Sequence, residues 1–158
     1  MNSSNHWLIR IRDGKNFRNS NFPLWGVKRG PNGCIKSLIK NRMNPGDILW
    51  FMTSKKFGGQ LIGMAEYIAS YDRADESLIS INTKSNIEQN WDGDEAWDIQ
   101  LHYTNLYNTE KQNIAVCIAC PAVILKYNTF KEKINDDLHK HFENFKKYAV
   151  PITNIYKK

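Results

Sequence analysis

LWGVKRGPNGCIKSLIKNRMNPGDILWFMTSKKFGGQLIGMAEY, residues 24–67, sets a short basic helix between a tryptophan-bearing turn and a pair of strands. Asn32-Gly33 precedes a predicted helix of about ten residues. Ile35, Leu38, Ile39 and Met43 form its apolar stripe, and Lys36, Lys40 and Arg42 lie on its outer face. Asn44-Pro45-Gly46-Asp47 stops that helix and turns the chain, because proline presets the turn and glycine accepts its left-handed position. Two strands follow, Ile48–Thr53 and Gln60–Ser70, joined by the loop Ser54–Gly59. In the first, Ile48, Trp50 and Met52 alternate with Leu49, Phe51 and Thr53. Both faces are apolar, so this strand belongs in the middle of a sheet.

Outward from this segment, residues 1–5 read as a flexible polar tail and Trp7–Arg12 as a strand. Trp7, Ile9 and Ile11 lie on one face of that strand, and Leu8, Arg10 and Arg12 on the other. Residues 13–23 read as a Gly/Asn/Ser loop closing at Pro23. Leu78–Asn82 is a further predicted strand. Glu88–Asp98 is an acidic loop carrying Trp91 and Trp97, and Trp97–Leu106 alternates as a strand. The apolar run Ala115–Leu125 is broken by Pro121. Thr129-Phe130-Lys131-Glu132 has the form of a capping box. Phe130, Ile134, Leu138, Phe142 and Phe145 then follow helical spacing to about Tyr148, and Pro151 ends that helix. There is no repeat and no linker, so residues 1–158 are expected to form one domain. The expected class is α+β: about five or six mostly antiparallel strands with two flanking helices.

Charge is segregated along the chain. The net formal charge is +6, made of +9 over residues 1–60, −8 over 61–110 and +5 over 111–158. Such a pattern predicts a positive face that attracts a polyanion, and a negative one. Three cysteines, Cys34, Cys117 and Cys120, fit a reducing compartment better than a disulfide framework. The N-terminal stretch has no apolar core of signal-peptide length, and the longest uncharged apolar run, residues 114–125, is too short to span a bilayer. The reading is a soluble intracellular protein with no membrane partner.

Most catalytic chemistry lacks its residues. Cys117-Ile118-Ala119-Cys120 is a lone C-x-x-C in an apolar run, and His139 and His141 point to different helix faces, so neither metal nor cofactor is expected. Neither a P-loop nor a G-x-G-x-x-G occurs. The carboxylates Asp92, Asp94, Glu95 and Asp98 lack calcium-loop spacing. They could instead dock a basic protein through segment 88–98. A small hydrolase could use Thr53, Lys55, Lys56 and Glu66, which flank one hairpin.

Aromatic and basic groups are the abundant material. Trp25, Phe51, Phe57, Trp91 and Trp97 accompany Arg10, Arg12, Lys28, Arg29, Lys55 and Lys56. Cations hold phosphate, and rings stack on an unstacked base. Trp25, between Pro23 and Gly26, either covers a core edge or forms a pocket wall.

These segments, in this order, resemble the EVE and YTH branches of the PUA-like superfamily. The likeness rests on Trp7-Leu8-Ile9, Trp25-Gly26-Val27, the basic helix closed by Pro45-Gly46-Asp47, and the strand pair ending in Gly63-Met64-Ala65-Glu66. Trp97-Asp98-Ile99 and Val150-Pro151-Ile152 would be later family strands. The resemblance implies a small curved β-barrel with flanking helices and an aromatic pocket for a methylated or hydroxymethylated base in DNA or RNA. It implies Trp25 as one wall, Trp91 or Trp97 as another, and Phe51, Thr53 and Ser54 as the floor. Lys55, Lys56 and Phe57 would form the rim, and Arg10, Arg12 and Arg29 would meet phosphate, with Lys28 beside them. Where the family shows a Lys-Ser-like pair after the first strand, this chain has Arg10-Ile11-Arg12-Asp13. ASCH proteins, related by fold, include nucleic-acid hydrolases and an amide hydrolase using Lys, Thr and Glu, which keeps the enzyme alternative open.

Overall fold

The computed structural model describes residues 5–73, 83–94, 97, 99–110, 124–126 and 150–151. The elements are β1 (His6–Arg10), α1 (Lys15–Asn19), β2 (Leu24–Val27), α2 (Cys34–Arg42), β3 (Ile48–Met52) and β4 (Leu61–Asp72). The one-turn α3 (Asn86–Gln89), β5 (Ile99–Asn108), β6 (Ile124–Lys126) and β7 (Val150–Pro151) follow. One sheet runs in the order β2-β5-β4-β3-β1-β6, with β7 also on β5. β1 and β3 are parallel, and every other pair is antiparallel. Bulges after Phe51, Met64 and Tyr67 curl the sheet, because each extra residue bends its strand and increases the local twist. The result is an α+β half-barrel with flanking helices, as the sequence predicts.

β3 lies between β4 and β1, and all five of its residues are buried, which explains its two apolar faces. The main core gathers Trp7, Ile9, Leu49, Phe51, Tyr67, Leu101 and Tyr103 on one side of the sheet. Ile39 and Met43 of the basic helix reach this core, as their spacing predicts. On the other face, Trp50 is fully buried, and its indole N–H donates to His6 Nδ1 at 2.8 Å.

Asp47 fixes the parallel pair. Its Oδ1 accepts the Asn5 N–H at 3.1 Å. Its Oδ2 accepts the Trp7 indole N–H and the Asn44 N–H, both at 2.9 Å. The start of β1 is thereby tied to the turn that launches β3. Gly46 in that turn has φ +93°, which any side chain would strain.

Three local readings are corrected. Residues 13–23 are not all loop: Lys15–Asn19 is helical, and Phe17 anchors it in the core. Trp25 lies in strand β2, not in a turn. The acidic segment opens with α3, where Ser85 and Glu88 form a reciprocal capping box. Hydrogen bonds from Ser85 hold the Glu88 carboxyl below its usual range. The expected strand at Leu78–Asn82, the C-x-x-C and the helix after Thr129 lie outside the described residues.

Candidate nucleic-acid interface

Trp25 of β2 and two tryptophans about seventy residues later in the chain, Trp91 and Trp97, gather around Gly26 at the β2 edge of the sheet. Trp25 and Trp91 pack edge-on with ring centroids 5.3 Å apart, and both are buried. Trp97 is half-buried and lies against Gly26. A Cβ at residue 26 would stand 2.4 Å from Trp97 Cβ and 3.3 Å from Trp91 Cζ3. Only glycine permits this approach of ring to backbone. Lys28 Nζ sits 6.0 Å from the Trp97 ring centroid, at the outer reach of a cation–π contact.

Neighbouring polar groups fix these rings. Trp91 donates its indole N–H to Ser20 Oγ at 2.8 Å, and Ser20 in turn donates to the Asn16 carbonyl. Gln89 is fully buried against β2. Its Oε1 accepts the Phe22 N–H at 2.6 Å, and its Nε2 donates to the carbonyls of Phe22 and Leu24.

Phe51 is wholly buried, 4.4 Å from Phe17 and 5.2 Å from Tyr103 between ring centroids. Phe17 links it to Trp25 at 6.1 Å. Thr53 is also buried, and its Oγ1 accepts the Gln60 N–H at 2.9 Å. Ser54 donates its N–H to the Arg12 carbonyl at 2.7 Å. That bond brings Arg12 beside Lys55, Lys56 and the 48% exposed Phe57, at the carboxyl ends of β1 and β3. Arg12 holds φ +55°, a left-handed conformation that non-glycine residues seldom adopt outside constrained sites.

The predicted phosphate contacts divide. Arg12, Lys55 and Lys56 are exposed, and among the described residues no acid pairs with any of them. Arg29 is engaged: its Nη2 and Nε lie 2.7 and 3.4 Å from the Asp72 carboxylate, which Lys36 also meets at 3.0 Å. Lys28 is exposed, and Arg10 is half-buried opposite Met52. Lys15–Asp92 and Arg18–Glu110 are further pairs. The Asp92 carboxylate raises the Lys15 pKa through its hydrogen bond and charge. Each of these pairs joins the basic first third of the chain to its acidic middle. The segregation seen in sequence is therefore partly neutralised within the molecule.

The hydrolase set is not brought together. Glu66 stands opposite Ile48, whereas Thr53 is bonded to Gln60. Five residues of strand separate the two positions, about 16 Å. Glu66 instead accepts the Asn105 amide at 3.3 Å. Among the described residues, no three His, Cys, Asp or Glu side chains gather to hold a metal, and no helix is long and apolar enough to cross a membrane.

Sequence reasoning missed Phe17, Ser20, Gln89 and the role of Gly26. The Ser85-x-x-Glu88 pattern was the one local signal that could have placed Gln89 on a helix.

No protein-family model and no curated protein matches the chain. Among solved structures, an ASCH protein of Zymomonas mobilis is similar over 92% of this chain and 96% of its own, at 8% identity and a TM-score of 0.39. A hypothetical protein of Leishmania major is similar over 98% of this chain and 90% of its own, at 14% identity and a TM-score of 0.36.

Proposed function

We propose that this chain is a nucleic-acid-binding module that holds a modified base of the methylated or hydroxymethylated type at the tryptophan cluster. Arg12, Lys55, Lys56 and Lys28 would meet phosphate. The observation that carries this reading is the convergence of Trp25, Trp91 and Trp97 on Gly26, with Lys28 over the half-buried ring. Trp97 is the stacking surface in this reading, and Trp25 and Trp91 are the walls behind it. Arg12, Lys55 and Lys56 supply sequence-independent affinity that weakens with salt. Unstacking a base costs a few kcal/mol, and stacking on an aromatic ring returns about 1–3 kcal/mol. A buried methyl adds about 0.8 kcal/mol, so preference for the modified base should be a few-fold unless a hydrogen bond is also involved.

The test is tryptophan-fluorescence titration with single-stranded oligonucleotides carrying cytosine, 5-methylcytosine, adenine or N6-methyladenine, at two salt concentrations. The expected result is saturable quenching that favours one modified base, weakens with salt, and is lost in Trp97→Ala. Lys55→Glu/Lys56→Glu should flatten the salt dependence and weaken plain and modified oligonucleotides equally. No quenching by any oligonucleotide, or binding unchanged in Trp97→Ala, would overturn the reading.

A further inference from the structure

A cavity of about 410 Å³ lies between α2 and β4. That volume is within the range of small-ligand sites. Lys36 and Lys40 stand on its α2 wall, one helical turn apart, and Ile39 of the helix and Met43 just past its end line it beside them. Tyr67, Ile68, Ala69 and Ser70 line it from β4. A regular strand sends alternate residues to opposite faces, so four consecutive residues could not share one wall. The bulge between Tyr67 and Ala69 makes this possible by re-aiming the strand at that point.

The charge at this cavity is unbalanced. Asp72, at one end, is shared by Arg29 and Lys36. Lys40 has no acidic partner among the described residues. Among the described residues, two lysines therefore line the cavity with a single carboxylate, and that carboxylate is also engaged by Arg29 from outside the lining. Ile68 is 45% exposed at the rim.

We propose that the cavity between α2 and β4 is a second binding site, for a small organic anion with a flat apolar body. Its apolar part would lie on Met43, Ile68 and Tyr67, and its anionic group would meet Lys40 and Lys36. The site is distinct from the tryptophan cluster, and its existence does not depend on base reading.

The probe is 8-anilinonaphthalene-1-sulfonate, which joins a flat apolar body to one anionic group. N-phenyl-1-naphthylamine serves as its uncharged counterpart. The expected result is saturable fluorescence enhancement with the sulfonate and at least fivefold weaker binding of the amine. Lys40→Glu and Ile68→Glu, exposed positions on opposite walls, should each weaken sulfonate binding about tenfold with unchanged circular dichroism. Trp97→Ala should leave it unaltered. The proposal is overturned if the sulfonate shows no saturable binding, if the amine binds equally well, or if either charge variant binds like the parent. Loss of binding in Trp97→Ala would also overturn it, by moving the ligand to the tryptophan cluster.

Discussion

Replacing Asp47 with asparagine tests what holds β1 beside β3. The carboxylate is 3% exposed and accepts three N–H donors, from Asn5, Trp7 and Asn44. Asparagine offers one oxygen and one NH2 group. With its oxygen in the Oδ2 position it keeps Trp7 and Asn44, but turns a donor toward the Asn5 N–H. In the flipped orientation it loses two partners, one of them the buried indole. Hydrogen bonds to charged groups contribute about 1.5–3 kcal/mol and neutral ones about 0.5–1.5 kcal/mol, so even the better orientation loses one bond and weakens two. Relief from burying a charge offsets part of the loss. The expected destabilisation is about 2–4 kcal/mol, a large share of the total stability of an ordinary domain. Asp47→Ala, which strands all three donors, should cost more than Asp47→Asn. Urea unfolding followed by circular dichroism, with m unchanged, gives the magnitude. The Trp7 indole N–H resonance reports the bond itself. If Asp47→Asn unfolds within about 0.5 kcal/mol of the parent and that resonance stays in place, the reasoning about Asp47 is wrong.

Gly26→Ala should push Trp97 off the sheet, because the new methyl would meet Trp97 Cβ at 2.4 Å. Overpacking of this kind costs about 1–3 kcal/mol, and a red-shifted tryptophan emission together with lower urea stability would report it. Tyr67 supplies a pH dependence. Burial raises its pKa above the ordinary tyrosine value, with Asp47 and Tyr71 adding to the shift and a Ser70 hydrogen bond opposing it. The unfolded chain then releases this proton at lower pH than the folded one. The stabilising contribution is full below about pH 10 and is lost as pH rises through the folded pKa. Stability of the parent should therefore fall more steeply above pH 10 than that of Tyr67→Phe, and parallel slopes in the two proteins would count against the assignment.

What could be read from sequence was whatever local chemistry determines. Pro45-Gly46-Asp47 announced a turn, and the two apolar faces of Ile48–Met52 announced a central strand. Ile39 and Met43 entered the core because helical spacing put them on one stripe. The five residues of α1 are too few to show a helical period, so Phe17 looked like a stray aromatic in a polar loop. The parallel pairing of β1 with β3 depends on contacts of Asp47 with Asn5 and Trp7, about forty positions away, which no local pattern encodes. The tryptophans could be named as candidates, but their meeting at Gly26 depends on how β2 pairs with β5. The basic and acidic segments were legible as composition. Their partial mutual neutralisation through Arg29, Lys36 and Asp72 was not, since it depends on which strands and helices become neighbours.

Gln89 bears on the behaviour of these molecules at high concentration. A strand at the margin of a sheet presents hydrogen-bonding groups that invite a strand from another molecule, which is the first step of edge-to-edge aggregation. Here one amide side chain, presented by a single capped helical turn, already satisfies the Phe22 N–H and the carbonyls of Phe22 and Leu24. Among the described residues these three groups, just before and at the start of β2, are held by a side chain, and an intruding chain would have to displace a fully buried amide to pair with them. Loosening the α3 cap would release these three groups even if the core stayed intact, and self-association at high concentration would report it.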